Sequence, residues 1–131
     1  MTYELAKQLK DAGFPQNTHH HYFSISKDMK WEYELRCGGI FNTEHDIACP
    51  TLSELIEACA AKMAAMNTFE EKHWMEFWFN YGYDNKVFEW AAGHAHGADR
   101  DEADQENYFG STPEEAVAKL WLALNANESQ I

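Results

Sequence analysis

The chain has 131 residues, of which 45% are hydrophobic and 15% aromatic, a composition typical of one packed domain rather than of a disordered chain. Acidic residues outnumber basic residues by 22 to 10, so the formal net charge is −12. This charge repels nucleic-acid phosphates and anionic membrane surfaces, which excludes direct nucleic-acid binding and membrane attachment from the expected roles. No stretch is typical of a secretory signal or a membrane span, so we expect a cytoplasmic protein.

The first third of the chain predicts a helix followed by a β-hairpin. Thr2 can cap a helix that runs to about Asp11, and Gly13 ends it. Residues 22–25 are apolar, and residues 31–37 alternate between apolar and charged side chains, which is typical of a strand with one exposed face. The two runs therefore predict an antiparallel strand pair.

A second helix and a second hairpin are predicted in the middle of the chain. Thr51 and Glu54 form a capping box at the start of a helix that ends near Asn67. Residues 73–83 carry aromatic side chains at alternate positions, and residues 87–92 form a second apolar run after a turn. We expect these two runs to pair as antiparallel strands.

The chain ends in an acidic segment and a capped helix. Residues 93–110 have no apolar periodicity and predict a long acidic loop. Thr112, Pro113 and Glu115 then provide the cap, the first residue and the capping-box acid of a last helix. The order αββαββα predicts a single α+β domain over residues 1–131, with an antiparallel sheet of about four strands and helices mainly on one face.

The three cysteines predict no cofactor site. Their spacing matches neither a zinc or redox C-x-x-C motif nor a paired disulfide framework, so we expect buried free thiols. They are Cys37, Cys49 and Cys59.

Three blocks resemble a family of small uncharacterised proteins of bacteriophages and prophages. The blocks are YELAKQLKDAGFPQ, CPTLSELIEAC and GSTPEEAVAKLWLALN. The resemblance implies a phage or prophage setting, and hence the cytoplasm of a host, together with a shared architecture. It implies no catalytic residue.

Histidines offer the main candidates for a metal site. His94 and His96 are spaced so that both can point the same way, and Asp99 could complete a Zn²⁺ ligand set. The usual alternative is that these histidines lie in a solvated loop, and no H-E-x-x-H or paired C-x-x-C motif accompanies them. We therefore predict no metal or other cofactor. Because no nucleophile motif or glycine-rich phosphate loop is present either, we predict no enzymatic activity.

Trp74 and Trp78 are candidates for partner binding. If the alternate residues Met75, Phe77 and Phe79 face the helices, the tryptophans lie on the opposite face of the sheet. Trp is enriched among the residues that dominate binding energy at protein interfaces. The alternative is that the 93–110 segment, or a second copy of the chain in a homodimer, covers both rings as ordinary core.

Acidic residues of the 93–110 segment are the other candidates. They either keep the protein in solution or occupy a basic surface of a partner, in imitation of nucleic acid. These candidates are Asp99, Asp101, Glu102, Asp104 and Glu106.

These observations favour a non-enzymatic inhibitor that binds a host or competing protein with a basic surface. Its target would be a bacterial defence nuclease or another nucleic-acid-handling complex, blocked by steric and electrostatic occlusion. One alternative is a nucleotide-binding protein that stacks a base on Trp74, Trp78 or Tyr83. Another is a metal-dependent hydrolase built on His94, His96 and Asp99.

Overall fold

A computed structural model describes residues 1–18, 20–27, 30–37, 47–81, 88–99, 101 and 103–128. The described residues form three helices and six strands in the order αβββαβββα. The backbone divides into two compact units, Met1–Glu54 and Leu55–Ile131. Each unit is described by itself.

The α+β class and the antiparallel pairing of both predicted hairpins are confirmed. The strands differ from the expected arrangement because they form two three-stranded sheets rather than one sheet of about four. Each hairpin acquires a third strand from its own part of the chain: residues 47–48 join the first hairpin, and residues 104–110 join the second.

The first unit begins with helix α1, Tyr3–Asp11. As predicted, Thr2 caps its start and Gly13 follows its end. The side chain of Thr2 accepts a hydrogen bond from the Leu5 amide. At the other end, the Phe14 amide donates to the Leu9 carbonyl at 2.9 Å, the geometry of a Schellman motif. Gly13 has φ +93°, a conformation that strongly favours glycine, and this explains why the helix ends here.

The sheet of the first unit has the order β2-β1-β3, where β1 is His20–Lys27, β2 is Lys30–Cys37 and β3 is Ile47–Ala48. Gln16 ties the chain after α1 to this sheet, because its Oε1 accepts from the Ala48 amide at 2.9 Å. Two of the three consecutive histidines of residues 19–21 belong to β1. His21 lies opposite Ala48 and is only 3% exposed.

Helix α2, Leu52–Met66, and helix α3, Pro113–Glu128, both begin with the predicted capping residues. In α2 the Thr51 and Glu54 side chains bond reciprocally to each other's amides. In α3 the Glu115 amide donates to the Thr112 hydroxyl at 3.2 Å. The Glu115 carboxylate accepts from the amide and hydroxyl of Ser111 rather than from the capping residue, and these bonds lower the pKa of Glu115.

Helices α2 and α3 contact each other within the second unit. The Cys59 thiol donates to the Val117 carbonyl, with sulfur and oxygen 3.7 Å apart. Lys62 Nζ donates to Asn125 Oδ1 at 3.1 Å and lies 5.5 Å from the ring centre of Trp121. Six residues of α3 are buried among those whose side chains are described. They are Ala116, Val117, Ala118, Leu120, Trp121 and Leu124.

The second sheet has the order β4-β5-β6, where β4 is Lys72–Tyr81, β5 is Phe88–Gly97 and β6 is Asp104–Gly110. The prediction of a long loop over residues 93–110 is wrong, because β5 extends through Gly97 and β6 fills most of the remainder. Residues 104–107 are all exposed at the edge of this sheet, so no apolar alternation marks the strand in the sequence. The turn predicted at residues 82–86 lies outside the described residues.

Helix α3 covers one face of this sheet. It lies against β5 and β6, and a Cβ atom on Gly110 would lie 2.7 Å from the Ala116 nitrogen. Gly110 is paired with Trp90, so its side-chain position shares a face with Trp90 and Ala92. We call this surface the helix face. Helix α3 thus contacts β5 and β6 of this sheet; the placement of the helices mainly on one face stays a prediction.

The expectation of buried free thiols is confirmed for Cys49 and Cys59; the side chain of Cys37 lies outside the described residues. Burial raises the pKa of Cys59 to about 12. None of the helices in the described ranges combines the length and the apolar character that crossing a bilayer requires.

Replacing Thr112 with alanine should lower the free energy of unfolding by about 1 kcal/mol, because the Glu115 amide loses its capping acceptor. Urea unfolding followed by circular dichroism measures the change. Thr112→Ser is the matched control, since it keeps the hydroxyl and should remain close to the unmodified protein. Equal stability of Thr112→Ala and the unmodified protein would contradict the cap.

Cys59 should resist alkylation while the protein is folded, since its thiol is buried and its high pKa keeps it protonated at mildly alkaline pH. Iodoacetamide treatment in native buffer and in urea, followed by peptide mass spectrometry, measures the modified fraction. We expect modification of Cys59 in urea only. Rapid modification of the native protein at this residue would show that the thiol is accessible.

Candidate functional site

The two faces of the second sheet carry different side chains. Antiparallel register places directly opposed residues on the same face. The helix face carries these residues: His73, Met75, Phe77, Phe79, Trp90, Ala92, His94, His96, Asp104, Glu106, Tyr108 and Gly110. The opposite face, which we call the tryptophan face, carries these: Lys72, Trp74, Glu76, Trp78, Glu89, Ala91, Gly93, Ala95, Gly97, Gln105, Asn107 and Phe109. Trp74 and Trp78 thus occupy the face opposite Met75, Phe77 and Phe79, as the alternation predicted.

Small residues form the centre of the tryptophan face. Ala91 and Ala95 lie on the central strand β5 and are 0% and 1% exposed. Trp78 on β4 and Phe109 on β6 are the two neighbours of Ala91. Both tryptophans are partly exposed, and Phe109 is 38% exposed. Large aromatic side chains therefore flank a strip of small residues.

A polar bridge crosses this strip at Gly93. Gln105 Nε2 donates to Asn107 Oδ1 at 2.8 Å on β6. A Cβ atom on Gly93 would lie 2.7 Å from both of these atoms, so glycine leaves room for the bridge. On the opposite strand, Trp74 Nε1 donates to Glu76 Oε1 at 2.9 Å. The tryptophan face therefore combines aromatic rings with a carboxylate and two amides.

Phe69 is a surface residue that the sequence analysis missed. It is 97% exposed and lies in the turn between α2 and β4. Three hydrogen bonds between Thr68 and Glu71 hold the turn. The amide and the hydroxyl of Thr68 donate to the Glu71 carbonyl, and the Glu71 amide donates to the Thr68 hydroxyl. A phenylalanine inside the polar run between a helix end and a strand was the signal available in the sequence.

The predicted acidic residues do not share the face of the tryptophans. Asp104 and Glu106 lie on the helix face, opposite His96 and His94. Asp99 and Asp101 belong to the connection between β5 and β6, where Asp99 accepts a hydrogen bond from the Asp101 amide at 3.0 Å. Glu102 lies outside the described residues. The sheet thus separates two of the predicted acids from Trp74 and Trp78.

Three histidine rings contact one another on the helix face, where β4 begins and β5 ends. His73 lies opposite His96, and His94 is two residues from His96 on the same strand. The three ring centres are 5.0 to 5.5 Å apart. With Glu71 and Glu106 they form what we call the histidine cluster.

Five contacts link the histidine cluster into a closed circuit. His73 Nδ1 is 2.7 Å from His94 Nε2. Glu71 Oε1 lies 2.9 Å from His96 Nδ1 and 3.7 Å from His73 Nε2. Glu106 Oε2 lies 4.0 Å from His94 Nδ1, and Glu106 Oε1 lies 4.0 Å from His96 Nε2. Every ring nitrogen in the cluster therefore faces another nitrogen or a carboxylate oxygen.

Burial keeps two of these rings in the neutral form. The side chains of His73 and His94 are 9% and 5% exposed. Burial lowers the pKa of His94, and the charges of His73 and His96 lower it further, while Glu106 and Glu71 oppose the shift. Burial is also the main reason that the pKa of His73 is lowered. Both imidazoles are therefore neutral at pH 7.

The structure brings together only two of the three metal ligands that the sequence suggested. His94 and His96 are adjacent, but the carboxylates beside their rings are those of Glu71 and Glu106 rather than that of Asp99. His73 and Glu71 were missed because only the register of β4 with β5 brings them to this position. Within the described ranges, no group of three or more His, Cys, Asp and Glu side chains is placed so that it could hold a metal ion without movement of the side chains.

Comparison with known proteins identifies no relative: no family model matches the chain, and no curated protein or solved structure is similar to it.

Substitutions of His73 and His94 should have non-additive effects on the free energy of unfolding. Single and double alanine substitutions, compared by urea unfolding at pH 8 in the presence of a chelator, should give a coupling free energy of about 0.5–3 kcal/mol, because the rings contact each other directly. His73 and the exposed helix residue Glu57 are the control pair. Their substitutions should change the free energy of unfolding additively. Additivity of the His73 and His94 substitutions would contradict the contact.

Proposed function

We propose that this protein is a non-enzymatic protein-binding inhibitor, and that its tryptophan face contacts a partner with a basic surface. The observation that carries the proposal is the grouping of Trp74, Trp78 and Phe109, all partly or well exposed, on one face of the second sheet. Apolar side chains that are grouped on one exposed surface are typical of an interaction site.

The shape of this face favours a protein ligand. Ala91 lies between Trp78 and Phe109, and Ala95 lies next to Trp74, so a partner laid across this face contacts aromatic rings on both outer strands. Glu76, Gln105 and Asn107 supply hydrogen-bonding groups on the same face. Aromatic anchors beside polar groups are the usual composition of an interface core and its rim.

The charge of the chain favours a basic partner. The net charge of −12 attracts a positive surface over a long range and so accelerates encounter, while the aromatic contacts determine how slowly the complex dissociates. Because Asp104 and Glu106 lie on the helix face, the carboxylates that can act directly on the tryptophan face are fewer than the sequence predicted. Glu76 and Glu89 are the acidic residues of β4 and β5 whose register puts them there.

The specific role that we propose is inhibition in a host cytoplasm. The resemblance to phage and prophage proteins supports the setting, and the negative charge supports a target whose basic surface normally holds nucleic acid. A bacterial defence nuclease or another nucleic-acid-handling complex meets this description. The inhibitor would occupy the basic surface and exclude the nucleic acid sterically and electrostatically.

Trp74→Ala and Trp78→Ala should each weaken binding to the partner by about 30-fold, which corresponds to about 2 kcal/mol for an interface anchor. Affinity capture from host lysate identifies the partner, and surface plasmon resonance with the purified pair measures the dissociation constant. The expected change is mainly in the dissociation rate. Glu4→Gln, at an exposed position of the first unit, is the control and should leave the dissociation constant unchanged.

Neutralising Glu76 together with Asp99 and Asp101 should slow association and flatten its dependence on salt, with little effect on dissociation. Neutralising the three exposed residues Glu4, Glu57 and Glu70 is the matched control for net charge alone. Binding that survives loss of both tryptophans would refute the role of the tryptophan face. Release from the purified protein of a small molecule that absorbs near 260 nm would instead support a nucleotide-binding protein.

A further inference from the structure

We propose that the histidine cluster is a binding site for a divalent transition metal of the Zn²⁺ type that ties β4 to β5. His73 Nδ1 and His94 Nε2 are the first two ligands, and His96 supplies the third. This inference concerns the helix face, so it is independent of the protein-binding role proposed for the tryptophan face.

The first argument is the contact between the two buried rings. His73 Nδ1 and His94 Nε2 face each other at 2.7 Å across neighbouring strands. Two ligands of a tetrahedral Zn²⁺ with bonds of about 2.0–2.1 Å are separated by about 3.3 Å. A small outward movement of the two side chains would therefore admit the ion between them.

The second argument is the position of the carboxylates behind these rings. A histidine that ligates a metal through one nitrogen usually donates its other N–H to a carboxylate, which fixes the ring and increases its basicity. Glu71 Oε1 lies 3.7 Å from His73 Nε2, and Glu106 Oε2 lies 4.0 Å from His94 Nδ1. Both rings thus have a carboxylate on the side away from the shared position.

The third argument is charge. The carboxylates of Glu71 and Glu106 lie next to the three rings, at 2.9 to 4.0 Å from their nitrogens. Two negative charges at this position compensate the charge of a bound divalent cation.

The third ligand has room to turn. His96 is 25% exposed, more than the other two rings, and its ring centre lies 5.5 Å from that of His73 and 5.2 Å from that of His94. Its nitrogens now face Glu71 and Glu106. Rotation of this side chain toward the other two rings completes a three-nitrogen set, and a carboxylate or water takes the fourth position.

Titration of the full chain, stripped with a chelator, with Co²⁺ and then with competing Zn²⁺ tests the proposal. We expect one equivalent of Co²⁺ to give the visible absorption of a site with nitrogen ligands, Zn²⁺ to remove it, and Zn²⁺ to raise the thermal unfolding midpoint. His96→Ala should weaken Zn²⁺ binding by at least 100-fold. Glu106→Gln should weaken it by about 10–100-fold.

Two controls separate this site from other outcomes. The double variant His19→Ala/His20→Ala removes most of the consecutive histidines and should retain full affinity for Zn²⁺. His96→Ala and Glu106→Gln change partly exposed residues, so circular dichroism should show both folded. Unchanged affinity in folded His96→Ala, loss of binding in the double variant, or no Zn²⁺ binding at micromolar concentrations would each overturn the proposal. In the last case the facing nitrogens of His73 and His94 only share a proton.

Discussion

The second sheet depends on the position of β5 between two antiparallel partners. Backbone hydrogen bonds to β4 on one side and β6 on the other fix which residues lie opposite each other. Because side chains alternate between faces, a shift of one residue would exchange the two faces. The separation of the tryptophans from the histidines, and hence both proposals made for this protein, follows from that register.

The small residues of β5 allow both faces to carry large side chains. Ala92 is fully buried on the helix face. Ala91 and Ala95 are buried on the tryptophan face. Bulky residues at these positions would fill the space that the aromatic rings of β4 and the helix α3 require. The strand is consequently weak in apolar periodicity, although it is the most buried strand of the sheet.

Local signals in the sequence predicted the three helices and the strand pairs of both hairpins. Thr2, Thr51 and Thr112 start helices because a side-chain oxygen satisfies an amide within three residues, an interaction that the sequence shows directly. The extension of β5 and the whole of β6 were missed because their side chains are small or polar. The histidine cluster was half predicted: His94 and His96 are close in sequence, whereas His73 and Glu71 join them only through strand pairing.

The polar character of β6 has a further consequence. Among the described strands β6 is at an edge of its sheet, so its outer backbone groups are unpaired by a neighbouring strand. Residues 104–107 read Asp-Gln-Glu-Asn, and all four are exposed. Charged and polar side chains on an edge oppose the addition of a strand from another chain, which is a common route to aggregation. The carboxylates of Asp104 and Glu106 therefore help to keep this edge from recruiting other molecules of the same protein.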